Sequence, residues 1–385
     1  MAKHRALIQK KQGSIDYQLL GITLLLSIFG ICIVFDSSAT LTADKFHYAI
    51  FQGLWVCLGL IGLFTASRIP YKLLTKWITL AMAIDILLLI IVLFTGHAQY
   101  GAVRWINIGP FQFQPSELTK PVYILFLAAF FSKEKPVYKT LQEKLKTEFW
   151  QELLPFLTIT ILTAGLVIVG KDLGTAIIIT ATGLTMYFLQ GKDIVSLLYL
   201  GSSVGTMGLL ALLAVIFEPY RLQRLLNFSG SGNNSLAGGY EIHQILIAIG
   251  SGGWTGEGFT QGIQKQQYLV QATAATDSIF AVIAEEMGFI GATLLIIVYV
   301  WLLLTCVRIA TRVEDNLGKL IVLGITVWII LQALLNIAVN VNLVPLTGVP
   351  LPFISYGGSS TIILLTSIGI ILNISRHTTD NEENK

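Results

Sequence analysis

Charge is what this sequence has little of. Of its 385 residues, 12% are Asp, Glu, Lys or Arg and 54% are hydrophobic. Soluble domains carry about 25% charged residues. Half that charge, with a mean hydropathy of +0.73, cannot solvate a globular surface of this size, so the solvent has to be lipid. The net charge of +3, with no clustered basic patch, gives nucleic acid nothing to bind. Cysteine is scarce too. Cys32, Cys57 and Cys306 lie far apart in apolar runs, which excludes a disulfide framework or metal spacing. They read as small buried hydrophobes. No internal repeat is recognisable, so the inverted-repeat plan of many transporters finds no support.

What is present is a series of long apolar runs. They fall near 17–35, 47–66, 77–95, 118–131, 153–169, 173–190, 194–217, 277–308, 317–340 and 358–375. A span needs about 20 apolar residues, within several. The first run follows Lys3, Arg5, Lys10 and Lys11 and precedes Ser37-Ser38-Ala39, as in a signal peptide. Leu19–Phe35 exceeds a signal core of about 7–15 residues, so it reads as an uncleaved first span.

Ten spans with both ends in the cytoplasm are tested by the positive-inside rule. That count places Lys3, Arg5, Lys10, Lys11, Arg68, Lys72, Lys76, five lysines between Lys133 and Lys146, Lys192, Arg308, Arg312, Lys319, Arg376 and Lys385 inside. These are 18 of the 25 Lys and Arg; seven remain outside. The fold class is therefore an all-α integral membrane protein. Residues 1–16 form a basic cytoplasmic tail, 17–375 one ten-span domain, and 376–385 a second cytoplasmic tail. A large outer loop, 218–276, joins spans seven and eight. The outer segment Val341–Gly357 has no charge and holds Pro345, Pro350 and Pro352, so it reads as re-entrant among the helices.

Ionisable groups at membrane depth are costly and point to function. Asp277 opens the eighth run. If that helix is continuous to Arg308, its 31 steps extend roughly 46 Å at about 1.5 Å per residue. Bilayers with headgroups are about 40–45 Å thick, so Asp277 would lie at the outer headgroups, able to serve as a general base. The plainer reading is a helix cap. Glu285 and Glu286 lie deeper on the same run. Glu285 shares a face with Ser278; the two glutamates either tune Asp277 or line a cavity, or are a polar pair held by neighbouring helices. Glu117 and Lys120, at i and i+3, form either a structural salt bridge or a cavity wall. Lys171 and Asp172 occupy a tight outer hairpin. Asp85 sits mid-span, paired with Lys120 or protonated.

Arg221 and Arg224 follow the seventh run at i and i+3, suited to a pyrophosphate or to interfacial anchoring. Tyr240–Ile249 reads as an amphipathic outer helix with Tyr240, His243, Gln244 and Ile247 on one face. Gln332, Asn336 and Asn340 form a polar stripe, read as interhelical hydrogen bonding.

Several stretches together resemble a known family. They are Arg104-Trp105-Ile106 with Gln114-Pro115-Ser116-Glu117-Leu118, and Lys171-Asp172-Leu173-Gly174-Thr175-Ala176. Further on come Ala248-Ile249-Gly250-Ser251-Gly252-Gly253, Thr276-Asp277 and Glu285-Glu286-Met287-Gly288. The last runs from Gly348-Val349-Pro350-Leu351-Pro352-Phe353 to Ile354-Ser355-Tyr356-Gly357-Gly358-Ser359-Ser360. In this order they resemble the RodA/FtsW/SpoVE (SEDS) family of peptidoglycan glycan polymerases.

The resemblance implies a glycosyltransferase acting on lipid II at the outer face of the cytoplasmic membrane, for cell elongation or division. Asp277 matches the family's essential aspartate. Trp105, Glu117, Lys120, Asp172, Arg221, Arg224, Glu285, Ser355 and Tyr356 fall on its motifs as substrate-binding candidates. Arg221, Arg224, Lys265 or a divalent cation (Mg or Mn) would meet the leaving pyrophosphate; no organic cofactor is implied. The implied partner is a class B penicillin-binding transpeptidase. One departure stands out: the family's His-Thr-Asp-Phe is Ala275-Thr276-Asp277-Ser278 here, so no histidine is available at that position. A flippase of lipid-linked precursors and a non-catalytic scaffold are the competing classes.

Overall fold

The structure, a computed structural model, describes residues 14–38, 46–99, 102–108, 111–133, 140–190, 201, 205, 237–264 and 274–377. Its elements follow the apolar runs. Helices α1 (Tyr17–Ser38), α2 (His47–Ala66), the short α3 (Tyr71–Lys76) and α4 (Ile78–Thr95) come first. Strands β1 (His97–Gln99), β2 (Ala102–Ile108) and β3 (Phe111–Phe113) follow, then α5 (Pro115–Phe131) and the short α6 (Leu141–Thr147). After a π-helical turn, Glu148–Leu153, come α7 (Leu154–Val169), α8 (Leu173–Phe188) and α9 (Ala237–Ser251). The chain closes with α10 (Ile279–Arg312), α11 (Asn316–Asn340) and α12 (Gly358–Ser375).

Seven described helical stretches are long and apolar enough to cross a bilayer: α1, α2, α4, the stretch Glu148–Val169, α10, α11 and α12. Two others, α5 and α8, have 17 and 16 residues. Helix α5 starts earlier than the run 118–131, at Pro115, and is buried on nearly every face. Its neighbours α4, α8, α11 and α12 shield it from lipid, so it need not span the apolar layer alone. The run 194–217 lies outside the described residues.

Outward faces show that lipid is the solvent. Ile50, Leu54, Leu58 and Ile61 on α2, and Leu80, Ile84, Leu87 and Ile91 on α4, recur at helical spacing and are exposed. Cys32 and Cys57 belong to such faces. They are exposed, and only Cys306 is a buried hydrophobe. Helix α11 is central, touching α5, α8, α9, α10 and α12.

The first and last described stretches meet at one end of the bundle. Asp16 N–H donates to Ser375 Oγ at 3.2 Å, and Arg308 pairs with Asp16 at 3.1 Å. The Arg308 guanidinium thus has a partner within the chain. Asn373 accepts from Tyr71 N–H and donates to the Ser67 carbonyl. Tyr71 donates its hydroxyl to Asp315 at 2.6 Å. Burial and then Asp315 push the phenol above its ordinary range, so it remains a donor.

Three expectations need correction. The fold is not purely helical, because Gly96–Gln114 contains a three-stranded antiparallel sheet in the order β1-β2-β3. Its alternation is short, and apolar residues flank it on both sides. On α9, Gln244 turns inward with Ile245 and Ala248, while Tyr240, His243 and Ile247 face out. The third correction is the largest: α10 is not continuous.

Gly288 breaks α10 with φ 64° and ψ −166°, a conformation essentially confined to glycine. An unbroken helix would join Phe289 N–H to the Glu285 carbonyl and Ile290 N–H to that of Glu286. Here a neighbouring segment is spliced into the gap. Phe289 and Ile290 donate to the carbonyls of Gly253 and Trp254, at 2.9 and 3.1 Å. The freed carbonyls of Glu285 and Glu286 accept from Glu257 and Gly258, at 3.0 and 3.1 Å. All four backbone groups stay satisfied, as an apolar surrounding demands.

The splice needs a close approach: a Cβ on Gly256 would strike the Glu286 carbonyl, and one on Gly288 would strike Gly256 N. Below the break, Ile279–Glu286 is buried on every face. Beyond it, exposed residues recur every three or four positions. The 31-step reach therefore does not hold, and Asp277 precedes a segment enclosed by protein.

Gly288→Ala should lower stability by about 2–5 kcal/mol, from forbidden backbone angles plus overpacking. A large fall in Tm of the purified protein in detergent checks this. Gly165→Ala, with nothing within 4 Å, should leave Tm unchanged or higher.

Candidate active site

Asp277 sits in the turn Ala275–Ser278, immediately before α10. The helix starts at Ile279 with Ser278 in the cap position and no side-chain cap bond. Asp277 is thus one residue short of the place a capping side chain occupies. What holds it is the backbone around it. The Ala275 carbonyl accepts from Tyr356 N–H at 2.9 Å, and the Thr276 carbonyl from Ser355 Oγ at 2.6 Å. The Asp277 carbonyl accepts from Asn336 Nδ2 at 2.8 Å and from Asn340 Nδ2 at 3.0 Å. Three successive carbonyls are each fixed by another part of the chain. The carboxylate lies against the loop, since a Cβ on Gly348 would be 3.4 Å from Asp277 Oδ2.

The stripe on α11 makes this possible. Positions 332, 336 and 340 share one face at i, i+4 and i+8. Asn336 also donates to the Val349 carbonyl at 2.8 Å, and Gln332 Nε2 to the Pro350 carbonyl at 3.0 Å. The amide N–H groups serve loop backbone, while Gln332 Oε1 makes the expected interhelical bond, accepting from Lys120 on α5. Val349, Leu351, Phe353, Ile354 and Ser355 are buried. Ser355 Oγ also accepts from Leu351 N–H at 2.7 Å. From α2, buried Gln52 donates to the Ser355 carbonyl at 3.3 Å and accepts from Gly357 N–H at 3.4 Å. The Tyr356 ring packs edge-on against Tyr48 at 5.0 Å.

Glu117 and Lys120 pair at 2.8 Å, both almost fully buried. Lys120 Nζ also donates to Gln332 Oε1 at 2.9 Å, which accepts from Trp328 Nε1 as well. The ammonium lies 5.3 Å from the Trp328 ring centre. Asp85 is not its partner; the buried Asp85 carboxyl lies beside Thr119, and among the described residues no ion pair reaches it.

Asp172 ties the sheet to the helices. Its Oδ1 caps α8 by accepting from Thr175 N–H at 3.2 Å. Oδ2 accepts from Gln114 Nε2 at 2.9 Å and Ser116 Oγ at 3.2 Å. Arg104 of β2 lies 3.6 Å away, and next to it Trp105 is half-buried. Two residues on, a Cβ on Gly174 would strike the Val349 side chain. The Asp172 hub and Asp277 therefore touch the same loop, Thr347–Val349.

Glu285 lies elsewhere. Its Oε1 accepts from Gln264 N–H at 2.8 Å, so it holds the spliced loop. Arg221, Arg224 and Lys265 lie outside the described residues. Sequence reasoning missed Gln52, whose signal was an amide alone in the apolar run of α2, and gave no role to Gln114 and Ser116, although both lie in the motif Gln114-Pro115-Ser116-Glu117-Leu118. Among the described residues, no group of three or more His, Cys, Asp or Glu gathers to hold a metal ion.

Lys120→Met should destabilise the fold by about 3–5 kcal/mol, because it strands a buried carboxylate. Adding Glu117→Gln should recover most of that loss. Denaturant unfolding of both variants in detergent checks the pair.

Residues 17–380 match the family model of FtsW, RodA and SpoVE, described as cell cycle protein. Stage V sporulation protein E of Bacillus subtilis is 36% identical, over 95% of this chain and 98% of that protein. The probable peptidoglycan glycosyltransferase FtsW of Coxiella burnetii is 37% identical, over 96% of this chain and 100% of its own length. Among solved structures, a chain from work on structural coordination of polymerization and crosslinking by a peptidoglycan synthase complex superposes with a TM-score of 0.76. It is 26% identical, covering 94% of this chain and 98% of that one. The rod shape determining protein RodA of Thermus thermophilus gives 0.68 at 25% identity, covering 95% and 98%. A match over nearly the whole length, with the same fold, means that this chain belongs to the FtsW/RodA/SpoVE family.

Proposed function

We propose that this protein is a peptidoglycan glycosyltransferase that polymerises lipid II into β-1,4-linked glycan, with Asp277 as general base. The names of its relatives support the activity. The observation that carries the choice of residue is the clamped segment. Three successive carbonyls are held from other parts of the chain, and this fixes the segment that brings the Asp277 carboxylate beside the loop at Gly348.

In this reading the 4-hydroxyl of the acceptor sugar attacks C1 of the donor and gives its proton to Asp277. The new C1–O4 bond forms as the C1–O bond to the pyrophosphate breaks. Undecaprenyl pyrophosphate departs with the electron pair. Attack opposite an α-linked leaving group yields the β link with inversion. Arg221, Arg224 and Lys265 are the residues of this chain proposed to meet the developing charge. A divalent cation (Mg or Mn), where bound, would add positive charge at the same pyrophosphate.

Ten spans and cytoplasmic termini complete the proposal. Helix α8 starts, and α10 starts, against the same loop. Two starts on one side call for an even number of crossings from one to the other, α8 and one more, in agreement with the expected span at 194–217. The meeting of Asp16 with Ser375 agrees with an even total. The positive-inside count puts that end in the cytoplasm and Asp277 outside. A class B penicillin-binding transpeptidase is the proposed partner, in keeping with the synthase complex that holds a similar chain.

The test is lipid II polymerisation by the purified protein with its transpeptidase. Asp277→Asn should reduce the rate by about 10²–10⁴-fold while Tm and partner binding stay unchanged. Full synthesis by Asp277→Asn would remove the base assignment. Flipping in liposomes without polymerisation by the wild type would make the protein a transporter.

A further inference from the structure

The segment spliced into α10 presents an apolar surface with no role in the chemistry above. Trp254 is 73% exposed, Phe259 49% and Ile263 55%. Aromatic and branched side chains of this size are not normally left open to water together. Their neighbours say what covers them. Gly253 and Trp254 hydrogen-bond to Phe289 and Ile290, the first residues beyond the helix break. The Trp254 ring packs edge-on against Phe289 at 5.3 Å. Phe289 and Ile290 in turn begin the outward stripe of α10, which continues through Leu294, Ile297, Trp301 and Leu304, all exposed. That stripe belongs to a span, so its solvent is acyl chain. Trp254 joins that stripe through Phe289, and Phe259 and Ile263 are the exposed apolar residues that follow in the same segment.

We propose that residues 253–263 ride in the outer leaflet as a wedge, with Trp254, Phe259 and Ile263 against lipid acyl chains. Two further features fit this depth. Backbone entering lipid must have its polar groups satisfied. The splice does this at Gly253, Trp254, Glu257 and Gly258 without a sheet or a helix of its own. The exposed polar residues of the segment, Thr255, Glu257, Thr260 and Gln261, set it at the headgroup boundary rather than the bilayer centre. Trp is the residue most at home there. The wedge would give the outer loop a fixed depth beside the enclosed segment that follows Asp277.

The experiment uses the full chain carrying Cys32→Ser, Cys57→Ser and Cys306→Ala, in vesicles of phosphatidylglycerol and phosphatidylethanolamine. Nitroxides are attached singly through Phe259→Cys, Ile263→Cys, Leu294→Cys and Glu314→Cys. Collisions with oxygen and with a water-soluble nickel chelate are compared. The oxygen-to-nickel ratio at 259 and 263 should lie within about threefold of that at 294. It should exceed the ratio at 314, an exposed polar position, by at least about tenfold. A nickel-dominated ratio at 259 and 263 would overturn the proposal. So would shielding from both reagents, which would mean that protein covers the face. An independent readout spares the wedge from substitution by cysteine. Quenching of wild-type fluorescence by brominated phosphatidylglycerol should exceed that of Trp254→Phe; equal quenching would also overturn it.

Discussion

Three side-chain amides in the middle of a membrane protein set the terms for everything around them. Gln332, Asn336 and Asn340 are buried on α11, where an unsatisfied amide is expensive. Facing them is the loop 343–357, rich in proline and without charge, whose carbonyls have the same need. Each solves the other's problem. The amides hold Pro350, Val349 and Asp277 by their carbonyls, and the loop returns the hold through Ser355 and Tyr356 to Thr276 and Ala275. The position of the Asp277 carboxylate is the result of that exchange. A helix cap would have acted through the side chain; here three backbone carbonyls are held by other parts of the chain.

The same constraint shapes the break in α10. Non-helical backbone at membrane depth survives only where its polar groups find partners. At Gly288 four groups would be orphaned, and residues 253–258 supply four complements. The break separates two environments that a single straight helix would have had to share. One is the enclosed segment after Asp277 and the other is a lipid-facing span. Glu285, bonded to Gln264 N–H, adds a side-chain tether to the same splice.

Much of this was legible in the sequence, and the limits have physical causes. Apolar runs are long-range signals, so nine of the ten apolar runs fall on described helices, and seven described stretches are long and apolar enough to cross a bilayer. The i, i+3 spacing of Glu117 and Lys120 foretold their pair, and the stripe on α11 was visible as a pattern. Its partners were not, because a backbone carbonyl leaves no mark in a sequence. Gly288 was equally silent: glycine is common in membrane helices, and only the Gly256 backbone against it reveals the break. Asp172 looked like a charged turn. Its bonds to Gln114 and Ser116 join segments 56 to 58 residues apart, beyond the reach of local spacing. The small sheet was hidden by its short strands.

The central claim is that the amides of α11 hold the segment carrying Asp277. Hydrogen exchange of the wild type and the Asn336→Ala, Asn340→Ala double variant tests it directly. Losing these partners leaves buried carbonyls unsatisfied, at about 1–3 kcal/mol each. The account predicts amide exchange roughly 10–100-fold faster around 276–280 and 349–351, with the distant Tyr71–Asp315 end unchanged. Unaltered protection at both segments would contradict it.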